Sequence, residues 1–120
     1  MKKLDVTWQI FTMYMLIILF MLVAGVSKAQ IQVSIFNASW NEANNVDWVS
    51  ELKDVKTTSY VDISKNTELQ KKHKIAVVPT IIIFKDDEEV ARFQADLSFK
   101  MVATREEVQE EIDEQLMSDF

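Results

Sequence analysis

Few side chains in this sequence could do chemistry, and their types narrow the choice. The 120 residues include no cysteine, and His73 is the single histidine. Without thiols or a second imidazole a zinc site of the usual kind cannot be assembled, and no metal is expected. His73 lies in "KKHKI", at the expected solvent-facing end of a short helix. No serine or aspartate is placed to make it a triad member. The stretch that stands out is "IFNASWNEANNVDW" (35–48), where an apolar strand runs into Trp40 and a helix is expected to begin. Asn41 and Asn44 sit three apart on its first turn. An amide oxygen there can accept one of the orphan N–H groups, so Asn41 is expected as the helix N-cap. Asn44 is expected to be solvated or locally bonded. "NAS" (37–39) matches a glycosylation sequon, but at a strand-to-helix junction it carries no expectation.

These residues need elements to position them. "IQVSIF" (31–36) is β-branched and apolar enough for a buried strand. "NEANNVDWVSELKD" (41–54) then reads as a helix with Val46, Val49 and Leu52 on one stripe. "TTSYVDIS" (57–64) alternates as a second strand, and "NTELQKKHKI" (66–75) follows as a short helix that Asn66 or Thr67 could cap. "VVPTIIIFK" (77–85) is a third, fully buried strand, "DDEE" a turn, and "VARFQAD" (90–96) a fourth strand closing a hairpin. "TREEVQEEIDEQLM" (104–117) is a helix, with Thr104 and Glu107 in capping-box spacing and Val108, Ile112 and Leu116 on one face. "LSFKMV" (97–102) is apolar without an assigned partner. The order β-α-β-α-β-β-α predicts an α/β domain with a mixed four-stranded sheet, because a short strand–helix–strand unit makes a parallel pair and a hairpin adds antiparallel strands.

Ahead of this domain, residues 8–26 read "WQIFTMYMLIILFMLVAGV" with no charge, preceded by Lys2 and Lys3 and followed by "SKAQ". Two readings of residues 1–29 stand. One is a secretory signal peptide cleaved after Ala29. The other is an uncleaved transmembrane anchor, a hydrophobic helix just long enough to span, with the basic start on the cytoplasmic side. Both export residues 30–120 to a periplasmic, lumenal or extracellular space, and the second makes a membrane partner of residues 8–26. The chain holds 13 basic and 19 acidic residues. Lys2, Lys3, Lys28 and Asp5 belong to the first 29, which leaves ten basic against eighteen acidic in 30–120. That sign argues against nucleic acid as a partner. An exported domain without disulfides must be held by its core alone.

The element order and two motifs resemble thioredoxin over essentially all of 31–120. "VSIFNASWNEAN" is similar to the family's strand followed by A-x-W-C-x-x-C, with Ala38 and Trp40 at matching places. "YVDISKNTELQKKHKIAVVPTIIIFK" resembles the family's second run, with Asp62, Leu69, Ile75, Pro79, Thr80 and Phe84 at near-constant spacing. The extra N-terminal strand and helix of the family are missing, which leaves a minimal glutaredoxin-like core. The resemblance implies a cis peptide before Pro79 and a docking place for extended peptide beside it. It also implies that Asn41 and Asn44 stand where the two reactive cysteines would be, Ile35 where a buried acid would be, and Tyr60 where its lysine neighbour would be. An amide cannot become a thiolate, so dithiol–disulfide exchange by this chain is excluded. No cofactor is expected.

Two functional expectations follow. The first is a redox-inactive thioredoxin-like binding or chaperone-like module, exported, holding protein or extended peptide near Trp40, Val78, Pro79 and Thr80. The second is a structural subunit of a membrane complex anchored by residues 1–29. An enzyme of non-thiol chemistry finds no nucleophile–base pair. The acidic last helix is expected to be a solvated face.

Overall fold

A computed structural model describes residues 29–118 together with 9, 10, 12 and 13. The apolar run of residues 8–26, expected as a signal peptide or anchor, lies almost wholly outside the described residues. Among the described residues no helix is long and apolar enough to cross a membrane.

The chain forms β1 (Ile31–Asn37), two 3-10 segments (Ser39–Asn44 and Asp47–Glu51) and β2 (Thr57–Asp62). It continues with α1 (Thr67–Lys72), β3 (Thr80–Lys85), β4 (Glu88–Gln94) and α2 (Arg105–Met117). The sheet order is β2-β1-β3-β4. β1 runs parallel to β2 and antiparallel to β3, and β3 antiparallel to β4, so the sheet is mixed as expected.

Alternation along the strands divides the core in two. Ile31, Val33 and Ile35 of β1 and Ile81 and Ile83 of β3 face one side, where Val46, Val49, Val108 and Ile112 cover them. Phe36 and Ile82 face the other, with Ala38, Ile63, Ile75 and Val78 packed around them and Leu69 of α1 beside. The β-branched content suits strands buried on both faces.

The ends are held by specific side chains. Thr104 caps α2, its hydroxyl oxygen accepting from Glu107 N–H at 3.2 Å, and Asn66 caps α1, accepting from Leu69 N–H at 3.2 Å. Arg92 on β4 donates to the His73 carbonyl at 2.7 Å and the Lys74 carbonyl at 3.2 Å, closing the C-terminal end of α1. The β3–β4 turn uses Asp86 and Asp87 at φ 51° and 70°. A two-residue hairpin turn of this kind needs positive φ at both places, which aspartate tolerates better than most residues. The Val78–Pro79 peptide bond is cis.

One expected element is different. The helix expected over 41–54 is instead two short 3-10 segments separated at Asn45, which has extended backbone (φ −58°, ψ 148°). Asparagine side chains bond nearby backbone and side-chain groups in place of a continuous helical ladder, and three of them crowd positions 41–45. Val46 and Val49 still reach the core, as the stripe required.

Because Ile35 is wholly buried at the centre of β1, we predict that Ile35→Ala costs about 2–5 kcal/mol. Urea unfolding should show a lower midpoint with an unchanged slope. A midpoint within error of the parent would mean that β1 is not central to the core.

Candidate functional site

The carboxyl end of β1 brings together the residues singled out by sequence. β1 ends at Asn37, the Ser39–Asn44 segment starts beside it, and the cis bond before Pro79 enters β3 next door. Asn41 is 5 % exposed. Its Nδ2 donates to Asn37 Oδ1 at 3.0 Å and to the Phe99 carbonyl at 3.1 Å, with the Val78 carbonyl at the outer limit of 3.5 Å. Its Oδ1 accepts from Asn44 Nδ2 at 2.8 Å. Asn37 Nδ2 in turn donates to the Asn41 carbonyl at 3.2 Å and to Asn45 Oδ1. A primary amide has two N–H donors and one acceptor oxygen, and each is used here.

This corrects the capping expectation for Asn41. Ala38 stands at the N-cap place with no side-chain bond, and Asn41 lies inside the segment at φ −114°, ψ 21°. Its side chain turns inward because Asn37 and Phe99 offer it buried partners. Asn44 is locally bonded, one of the two roles expected of it.

Phe99 belongs to the apolar stretch 97–102 that had no assigned partner. The loop folds on itself through Asp96, whose Oδ1 accepts from Ser98 N–H at 2.9 Å, Ser98 Oγ at 2.6 Å and Lys100 N–H at 3.2 Å. Phe99 takes φ 65°, a strained choice for a bulky residue. Its ring meets the Trp40 indole edge-on, centroids 5.1 Å apart at 86°. Trp40 is 64 % exposed, Phe99 39 % and Leu97 94 %, so three large apolar side chains stand in solvent at or beside this end. Val78, Pro79 and Thr80 are buried. Pro79 O accepts from Ala95 N–H at 3.0 Å, and Thr80 Oγ1 donates to the Val77 carbonyl at 2.6 Å. Trp40 is the member of the expected binding set that reaches solvent.

Beside the network is an open cleft of about 310 Å³ lined by Asn37, Ser39, Glu42, Tyr60, Asp62 and Lys65 among others. The hydroxyls of Ser39 and Ser64 donate to Asp62 and hold its carboxyl down at about 2. Tyr60 donates to the Val46 carbonyl. Among the described residues no group of three or more histidine, aspartate or glutamate side chains is placed to hold a metal ion. Asn37, the sequon asparagine, is 5 % exposed with its amide nitrogen committed, so a glycan there is incompatible with this fold.

His73 departs from expectation. It is half-buried, its ring 5.3 Å from Phe36 and 5.6 Å from Phe84. Burial, with Lys72 and Arg92 nearby, lowers its pKa below the usual 6.5, while Glu89 opposes the shift. Sequence reasoning also missed Phe99 and Asn37 as partners of Asn41. The one available signal was the crowding of asparagines at 37, 41, 44 and 45.

The described domain has a thioredoxin-like fold. A point mutant of thioredoxin from Halobacterium salinarum is similar at TM-score 0.56 and 19 % identity, over 72 % of this chain and 75 % of that one. Thioredoxin-2, a component of the malaria parasite protein secretion machinery, gives 0.55 and 21 %, over 73 % and 85 %. Thioredoxin O2 from Arabidopsis thaliana in its oxidised state gives 0.51 and 19 %, over 72 % and 76 %. The sequence matches no protein-family model and no curated protein. This chain carries the fold without a cysteine.

Asn41→Ala strips Asn37 Oδ1 and the Phe99 carbonyl of their donor and should cost about 1–3 kcal/mol. Asn41→Asp should be worse at pH 7 than at pH 4, because a buried carboxylate would face those two acceptors. Equal losses at both pH values would mean that the site is open to water. For His73, folding favours the neutral ring, so its contribution is complete above about pH 6.5 and is lost as pH falls through the lower folded-state pKa. His73→Phe should flatten the stability profile there, read by urea midpoints from pH 4.5 to 7.5. An unchanged slope would sink the assignment.

Proposed function

We propose that this chain is a redox-inactive binding module, exported across a membrane, that docks an extended polypeptide against Trp40. The observation that carries this reading is the exposed indole, braced edge-on by Phe99 at the end of the sheet. Aromatic side chains held rigidly in solvent are favoured contact residues, since they offer large area at small entropic cost. Val78, Pro79 and Thr80 are buried at the same end of the sheet, where the Val78 carbonyl lies 3.5 Å from Asn41 Nδ2. The excess of acidic residues in 30–120 favours an apolar segment flanked by basic residues. No thiol chemistry enters, because nothing in the chain can form a thiolate.

The uncharged run of residues 8–26 supports a second reading, in which residues 1–29 stay in place and anchor a subunit of a membrane complex. β1 carries the chain about 20 Å from Ile31 to Asn37 at ~3.3 Å per residue, so on either reading Trp40 lies at the end of β1 opposite Gln30. The two readings separate by intact mass of the protein from membrane and soluble fractions of its host. A soluble species beginning near Gln30 supports the free module, and a full-length species found only in membranes supports the subunit. For the docking itself, an array of extended peptides with apolar cores and basic flanks should yield binders whose signal drops at least tenfold in Trp40→Ala. Binding that survives Trp40→Ala would place the contact elsewhere.

A further inference from the structure

The outer edge of β2 is the unguarded side of this sheet. β2 pairs with β1 through positions running from Gln32↔Thr57 to Asn37↔Asp62, and among the described residues no strand lies beyond it. Thr57, Thr58, Ser59 and Tyr60 are exposed. Natural edges are blunted by charge, proline or a bulge. The β4 edge has such protection: Glu88, Glu89 and Arg92 lie on it, a register shift falls between Ile83 and Phe84, and its end is met by the Ala95–Met101 bridge. β2 has none from Thr57 to Val61, where it reads "TTSYV", β-branched and aromatic.

The edge is also self-complementary. Ile63 N–H donates to the Asn37 carbonyl at 2.9 Å. By alternation the main-chain groups of Val61 and Ser59 turn toward β1, and those of Tyr60 and Thr58 turn outward. The uncharged stretch is closed by a cation at one end, Lys56, and an anion at the other, Asp62. We propose that β2 pairs antiparallel with β2 of a second copy of this chain, Ser59 lying opposite the partner subunit's Ser59.

In that register Thr58 and the partner subunit's Tyr60 exchange main-chain bonds, and so do Tyr60 and the partner's Thr58. Lys56 stands just ahead of β2, its N–H on the Ile31 carbonyl and its Nζ 3.0 Å from Gln30 Oε1, at the end where the partner's Asp62 would lie, so its ammonium can share that carboxylate from outside the ladder. Tyr60, its hydroxyl held on its own Val46 carbonyl, stands beside the partner's Thr58, an aromatic next to a β-branched neighbour, which is a favourable cross-strand pair. Sliding by two residues loses both ion pairs, and sliding by one turns the outward main-chain groups away. A parallel pair would set Lys56 against lysine and Asp62 against aspartate. The antiparallel pair makes one sheet of both copies, related by a closed two-fold.

Such a pair sends the two Gln30 residues to opposite poles. It therefore forms between released domains, not between copies standing upright in one bilayer.

The cysteine-free background makes the test clean. Ser59→Cys, introduced into the full-length gene and expressed with export, puts two thiols at a non-hydrogen-bonded antiparallel position. There Cα atoms sit about 4.5 Å apart, within disulfide reach. Thr57→Cys, two residues along on the same face, is offset from its own copy and serves as the matched control, with exposed Ser50→Cys as a second. Under mild oxidation Ser59→Cys should give a linked dimer at least tenfold faster than either control. Lys56→Asp should slow that crosslink several-fold, and Lys56→Asp with Asp62→Lys should restore it. A Ser59→Cys chain that stays monomeric while circular dichroism matches the parent would overturn the proposal, as would equal rates at all three positions.

Discussion

The reciprocal pairing of Asn37 with Asn41 sits where three parts of the fold meet. Both side chains are buried, and a buried amide without partners costs about 1–3 kcal/mol, so its donors and acceptor demand satisfaction. Asn41 meets that demand by reaching Asn37 at the end of β1, Asn44 within its own segment and the Phe99 carbonyl 58 positions along the chain. The end of the central strand, the first 3-10 segment and the loop after β4 are thereby tied at one point. The strained φ of Phe99 is held by the same tie together with the Asp96 bonds that shape its loop.

That arrangement fills, without a hole, the place that the resemblance gives to a reactive thiol. A reactive thiol needs access for a partner disulfide, whereas an amide is most stable when fully enclosed and bonded. The two demands oppose each other at the same position. With Asn41 inside, the Phe99 main chain can close over it and the Phe99 ring is left against Trp40. What remains outside is an apolar rim of Trp40, Phe99 and Leu97. Ile35, at the place the resemblance gives to a buried acid, is wholly buried and apolar.

Much of this was legible in the sequence. The strands could be read because their β-branched runs are continuous or alternate with period two, and the predicted stripes landed in the two cores. Thr104, with the apolar face behind it, announced the last helix, and of Asn66 and Thr67, the two residues that could cap the shorter one, Asn66 is the cap. The segment over 41–54 was misread because hydrophobic spacing sees Val46 and Val49 but not the competition of Asn41, Asn44 and Asn45 with the helical ladder. The role of Phe99 was out of reach for another reason. Its contact with Asn41 spans 58 positions, and no local period carries information about so distant a partner. His73 was misjudged similarly, since the rings of Phe36 and Phe84 that shelter it come from separate strands.

The geometry also links the two surfaces. The Trp40 rim lies at the carboxyl end of β1 and the unguarded edge lies along β2, so the surfaces occupy different sides of the domain and one occupant does not exclude the other. An antiparallel β2 pair would turn the two rims to opposite poles, which lets one pair hold two separate chains or two stretches of one long chain. Linking two weak sites in this way raises overall avidity without adding a contact at either rim, provided the bound chain can span the distance. The same antiparallel arrangement separates the two N-terminal segments, so two upright tethers in one membrane would work against it. On that proposal, removal of residues 1–29 and self-association would be coupled by the direction of β1, and a bivalent form would belong to a released domain.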